Sequence, residues 1–230
     1  MIQKTENTLV WGLPTRLFHW LLAVSFASAY ILSDFDDLLS FHFAFGALAG
    51  GLLAGRIVWG FAGPRYSRFK DFPISFSNIS HFVSSIKSAS FVGHNPLASL
   101  VMLGIMVVGT ATALSGYMLN QSDIQTMPFS KDFTEELHEV LANLFLFLVI
   151  LHLTGLMADL LLHQKNRAFF SIFTGRKNVN ASPASINVYQ KIVAVGWFAL
   201  AFSLFVLARN LPVNRHQDDH EKIRQEQNDD

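Results

Sequence analysis

Along the chain, long apolar runs alternate with short polar breaks. Five runs approach the roughly 20 residues needed to cross a bilayer: Leu17–Leu32, Phe41–Ala62, Pro96–Leu119, Leu137–Leu162 and Ile192–Ala208. Hydrocarbon leaves open strand edges unsatisfied, so the runs predict helices and an all-α integral membrane protein. The first run resembles a signal peptide, with Ala27-Ser28-Ala29 as a cleavage site, but Tyr30, Ile31 and Leu32 carry it further. A retained helix is therefore expected. Residues 63–95 are too many for a tight hairpin, and Phe76, Ile79, Phe82, Val83 and Ile86 recur there at helical spacing. They predict an amphipathic helix lying in the interface. The expected organisation is a four-helix core over residues 1–162, a loop over 163–191, a fifth helix over 192–209 and a polar, solvated tail over 210–230.

Composition agrees with this reading: 51% of residues are hydrophobic, 22 are Phe and only 15% are charged. The absence of cysteine excludes thiolate iron–sulfur clusters, disulfides and covalent C-x-x-C-H haem attachment. Net charge is zero, but its distribution is not even. Assigning the loops alternately to two sides places 12 Lys and Arg on the side of the N-terminus and 5 on the other. The positive-inside rule then sets the N-terminus in the cytoplasm and the C-terminus outside. Trp11, Trp59 and Trp197 would be aromatic anchors at the cytoplasmic interface.

The fourth run, in LHEVLANLFLFLVILHL, carries His138 and His152. Imidazoles at bilayer depth are costly without partners and so mark sites. Fourteen helical residues turn a side chain by about 1400° and separate the two levels by roughly 21 Å, so both histidines share one face. His19, early in the first helix, matches the depth of His152, and His42, opening the second, matches His138. Two imidazole pairs stacked between facing helices suit bis-histidine ligation of two non-covalent b-type haems. Zinc or copper would be left with an incomplete shell. Gly46, Gly50, Gly51, Gly55, Gly104, Gly109 and Gly116 would make room for flat porphyrins or for close helix packing. Arg56 lies fourteen residues after His42, at the level of His152, where it would meet a haem propionate or snorkel to headgroups. Arg16, one turn before His19, offers the same alternatives. Among the remaining histidines, His81, His94, His163, His216 and His220 read mostly as ordinary surface residues.

Four stretches resemble the bacterial membrane b-type cytochromes related to cytochrome b561 and to the cytochrome b subunits of nickel–iron hydrogenases. They are VWGLPTRLFHW, FHFAFGALAGGLLAGRIVWGFAGPRYSRF, GHNPLASL and ELHEVLANLFLFLVILHLTG, spread over residues 10–162 in that order. The family's haem-ligating positions fall on His19, His42, His138 and His152. The resemblance implies a dihaem four-helix core that moves electrons between the membrane quinone pool and a periplasmic redox partner, such as a c-type cytochrome or a hydrogenase-like subunit. The fifth helix departs from the family and carries no histidine. Expected partners are lipid, quinone and that redox subunit, with no nucleic acid.

Two other functions fit less well: a superoxide oxidase feeding quinone, and a haem-free transporter or scaffold using the histidines as a proton relay. The outer loops carry Asp34, Asp36, Asp37, Asp123, Asp132, Glu135 and Glu136 against Lys131, a rim that repels anions and attracts a cationic protein. Asp159 and His163 continue the line of His152 inward, where they would either relay protons to a quinone site or act as a capping carboxylate and an interfacial histidine.

Overall fold

The computed structural model describes residues 7–85, 91–121, 130–162 and 168–212. Helix α1 spans Leu13–Leu32 and begins earlier than its apolar run, because Gly12 is extended and Pro14 occupies the first turn, where a missing N–H costs nothing. A short 3-10 turn, Asp36–Leu38, leads into α2, Leu39–Ala62, which stops at the extended Gly63 before Pro64. Helix α4, Pro96–Asn120, starts where Asn95 accepts the Ala98 N–H and Pro96 enters the first turn. Helix α5 runs Lys131–Leu162, well before the apolar run opens at Leu137. Helix α7, Val188–Asn210, starts at a capping box between Asn187 and Gln190, four residues ahead of the apolar run. Polar first turns hide helix starts from a hydropathy reading, because caps rather than burial set them.

These five helices are long and apolar enough to cross a membrane. Two shorter ones lie between them. Helix α3, Phe76–Ser84, is capped by Ser75 and forms where the spacing predicts a helix; of the apolar residues read together it turns Phe82 inward while Phe76 and Val83 stay exposed, and Ile86 lies outside the described residues. Helix α6, Ala168–Thr174, precedes strand β2, Arg176–Asn178, which pairs antiparallel with β1, Asn7–Leu9. The connection expected to be a plain loop thus contains a helix and a strand that ties it to the N-terminal segment.

Packing is uneven around the bundle. Helix α2 is central, lying against α1, α4 and α7, while α5 leans on α4. Close approach to α7 depends on two glycines of α2. Gly51 faces Ala201, and Gly55 makes a notch for the Trp197 indole, whose Nε1 donates to Leu52 O at 3.1 Å. A Cβ at Gly55 would overlap that indole. Trp59, Leu52, Leu53, Met106 and Phe18 complete the core. On α5 only Thr134 and Phe145 are buried, so this helix meets α1 and α2 through side chains rather than backbone contact.

One end of the bundle gathers Arg65, Arg68, Lys177 and the β pair; the other carries Asp34, Asp36, Asp37, Asp132 and Glu136 on its surface. They are called here the basic and acidic ends. The three tryptophans expected as interface anchors lie inside the protein instead: Trp11 and Trp197 are 6% exposed and Trp59 is fully covered. Trp11 donates to Ser171 Oγ at 3.0 Å and Trp59 to Thr15 Oγ1 at 3.3 Å, so internal hydroxyls take the role that headgroups would have had.

Candidate functional site

Helix α5 presents His138, Phe145 and His152 at successive intervals of seven residues, each about 20° from alignment with the last. Toward the acidic end, His42 of α2 faces His138 with ring centroids 6.2 Å apart. Each ring is anchored from behind. His42 Nδ1 donates to Ala29 O at 2.7 Å, and His138 Nδ1 donates to Thr112 O at 3.1 Å with Ser115 Oγ at 3.0 Å. An Nδ1–H committed to a carbonyl fixes the tautomer and leaves the Nε2 lone pair for a metal. Gly116 lets α4 come this close, since a Cβ there would stand 2.9 Å from His138 Cε1. At Gly46, one turn beyond His42, an added Cβ would meet nothing within 4 Å. The two readings of the glycines therefore divide by position: Gly51 and Gly55 serve helix packing, and Gly46 borders open space.

Toward the basic end, His19 of α1 faces His152 at 6.4 Å, with Trp20 edge-on to His19 at 5.2 Å. Here the surroundings differ. His19 Nδ1 is buried and has no hydrogen-bond partner. Arg56 is 1% exposed, its guanidinium 6.0 Å from the Phe18 ring and 5.7 Å from the Phe69 ring, with Nη1 also unpartnered. This burial rules out the snorkelling alternative for Arg56. Arg16 donates from Nη1 to Phe173 O at 2.6 Å and leaves its buried Nε without a partner. Between the levels, Phe26 packs on Phe145 at 4.3 Å and Tyr30 meets Asn143 Oδ1 at 3.1 Å.

The spacing of the pairs can be tested against haem chemistry. An imidazole nitrogen binds a metal at about 2 Å and lies about 1 Å from its ring centroid, so two axial imidazoles on one iron place their centroids about 6 Å apart. Both observed separations meet that value. Among the described residues no group of three or more His, Asp or Glu converges as a metal-ion site.

Two further residues belong to this end of the site. His94, taken from sequence as a surface residue, wedges between Trp11 at 4.6 Å and Phe72 at 5.5 Å, with Nδ1 buried and unpartnered. Burial pushes its pKa down to about 3, with Lys177, Arg56 and His152 adding repulsion. Lys177, 6% exposed, donates to Gly93 O at 2.8 Å and sits 5.5 Å over the Trp11 ring. Burial lowers its pKa to about 8, against the opposing pull of Asp159. Asp159, read as a relay group, thus acts on Lys177, while His163 lies outside the described residues. Asn95-Pro96 marks the start of α4 and places His94 beside it, but nothing local reveals that Trp11 and β2 cover it.

An all-helical membrane bundle with imidazoles facing in pairs across it has the architecture of a membrane b-type cytochrome. The model of the prokaryotic cytochrome b561 family matches residues 10–175, and the chain belongs to that family. It is also similar to the probable Ni/Fe-hydrogenase 1 B-type cytochrome subunit of Escherichia coli strain K12, at 26% identity over 163 residues covering 56% of this chain and 68% of that protein. The same subunit of Escherichia coli O157:H7 matches equally. No solved structure gives a significant match. Membership makes the chain a haem b protein of membrane electron transfer, which removes the haem-free transporter or scaffold reading.

Proposed function

We propose that this protein holds two haems b and carries electrons across the inner membrane between the quinone pool and a redox partner at its acidic face. The observation that carries this reading is the stack of two facing imidazole pairs, at 6.4 and 6.2 Å, along α5. His19 and His152 would hold the haem at the basic end, and His42 and His138 the haem at the acidic end. Arg56 and Arg16 would engage haem carboxylates at the basic end, because their buried unpartnered nitrogens call for anions. Each haem, when bound, supplies a one-electron couple. The protein orients the ligands through the Ala29 and Thr112 carbonyls, keeps the levels apart with Phe26 and Phe145, and excludes water with its lipid-facing shell.

Orientation follows from charge: the basic end faces the cytoplasm, with the N-terminus, and the acidic end faces the periplasm. A partner with a positive patch, such as a c-type cytochrome or a hydrogenase-like subunit, is favoured over superoxide, which the exposed Asp34, Asp36 and Asp37 repel. Pyridine haemochrome analysis of the purified protein tests the reading directly. Two haems b per chain with low-spin spectra are expected; one haem or none would overturn it.

A further inference from the structure

Among the described residues, the buried side-chain nitrogens without a hydrogen-bond partner are Arg16 Nε, His19 Nδ1, Arg56 Nη1 and His94 Nδ1. All four lie at the basic end. Unsatisfied buried donors are costly, and a cluster of them from four separate positions in the chain points to a group that completes them. Three features define what that group must be. The cluster is cationic, since Arg56 and Arg16 carry permanent charge and the Lys177 amine donates to Gly93 O, next to His94, with both Lys177 and His94 against the Trp11 ring. It adjoins the His19–His152 pair, because Arg16 lies one turn from His19 on α1 and His94 is within electrostatic reach of both Arg56 and His152. Its two aromatic walls at Arg56, Phe18 and Phe69, shut out water and so strengthen any charge interaction inside.

The acidic end is built in the opposite sense. Both ligand rings there are already hydrogen-bonded to carbonyls, which makes an imidazole a more electron-rich ligand, and the nearby surface charge is negative. Arg209 is engaged over the Phe41 ring at 4.1 Å. The same residue type, histidine, thus sits in two different fields.

We propose that Arg16, Arg56, His94 and Lys177 form a carboxylate-binding end to the His19–His152 pocket, and that their charge holds the haem there at a higher reduction potential than the haem between His42 and His138. The inference rests on the dihaem reading and extends it. Reducing a haem adds one negative charge, which cations in a low-dielectric pocket stabilise. Asp159 offsets part of the Lys177 charge, so haem carboxylates would be matched chiefly by the two arginines, with His94 donating a neutral hydrogen bond. At the acidic end, carboxylates of the same haem type would face an already negative rim.

The test is an optical and electron-paramagnetic-resonance redox titration of the full-length, haem-loaded protein in lipid nanodiscs. Haem content is measured in parallel, and His152→Ala identifies the component of the basic-end pocket. In the wild type that component should titrate at the higher potential. Arg56→Gln and Lys177→Gln should each lower its reduced-to-oxidised ratio at fixed potential by about tenfold, or about 59 mV for a one-electron couple. The acidic-end component should not move, and Arg56→Lys should recover most of the shift. If Arg56→Gln loses only the basic-end haem, the carboxylate-binding role is supported, and Lys177→Gln then carries the potential test. Two haems with neither variant shifting the basic-end component, or that component lying lower in the wild type, would overturn the proposal. Fewer than two haems in the wild type would overturn the dihaem reading itself, a failure visible in the haem count alone.

Discussion

The two imidazole levels use the same ligand type at nearly the same separation, yet their settings differ. At the acidic end both Nδ1 atoms are held by backbone carbonyls, which aim the rings. At the basic end His19 Nδ1 has no partner, and arginine nitrogens are buried unpaired beside it. One level is preorganised through its ligands and the other through the charges around its rim. Residue type alone therefore does not set what an imidazole experiences; the groups behind and beside it do.

The strongest way to break this comparison is to remove one ligand at a time. His42→Ala or His138→Ala should remove the acidic-end haem, and His19→Ala or His152→Ala the basic-end haem, each halving the pyridine haemochrome yield. Loss of both haems from either change would show that the levels assemble together. Gly116→Ala sharpens the contrast, because its Cβ would crowd His138 Cε1 at 2.9 Å and force the ring off its carbonyl anchor. It should diminish or shift only the acidic-end component of the low-temperature absorption spectrum.

Lys177 offers a test of the basic end in the haem-free protein. Its pKa falls from 10.5 to about 8 on burial, so the folded state disfavours the charged amine. Between those values the unfolded chain binds more protons, and stability should rise with pH by at most roughly 3 kcal/mol, the full penalty remaining below about pH 8. Thermal unfolding across that window should show the rise, and Lys177→Met should flatten it. The smallest expected effect is at the acidic surface. Changing Asp34, Asp36 and Asp37 together to Asn should slow electron exchange with a cationic c-type cytochrome a few-fold in stopped-flow at low salt, the difference fading as salt screens the field.

Much of this was readable from residue order, for definite reasons. Hydrophobic runs report burial in lipid directly, so all five long helices were legible, and helical periodicity placed His138 and His152 on one line. Depth matching then paired them with His42 and His19, and the structure brings those same rings together. Helix starts were less legible, since Gly12-Leu13-Pro14, Ser130 and Asn187 act through capping and first-turn chemistry that hydropathy ignores. The family match covers residues 10–175 and leaves α7 outside it, and nothing local in the sequence shows that Trp197 inserts at Gly55.

By itself, the sequence determined that the protein is a helical membrane bundle with four imidazoles at two depths, because both properties follow from one-dimensional spacing. Tertiary structure decided what each imidazole meets behind it, that Trp11, Trp59 and Trp197 are internal, and that His94 and Lys177 join Arg16 and Arg56 at one end. Those contacts join β2 to the segment before α1 and the 91–95 segment to Trp11, positions separated by 80 residues or more, as the Lys177–Gly93 hydrogen bond at |i−j| = 84 illustrates. Spacing along one helix is fixed by its geometry, whereas contacts between distant segments depend on how the whole chain packs, and the charge environment of each imidazole level belongs to the second kind.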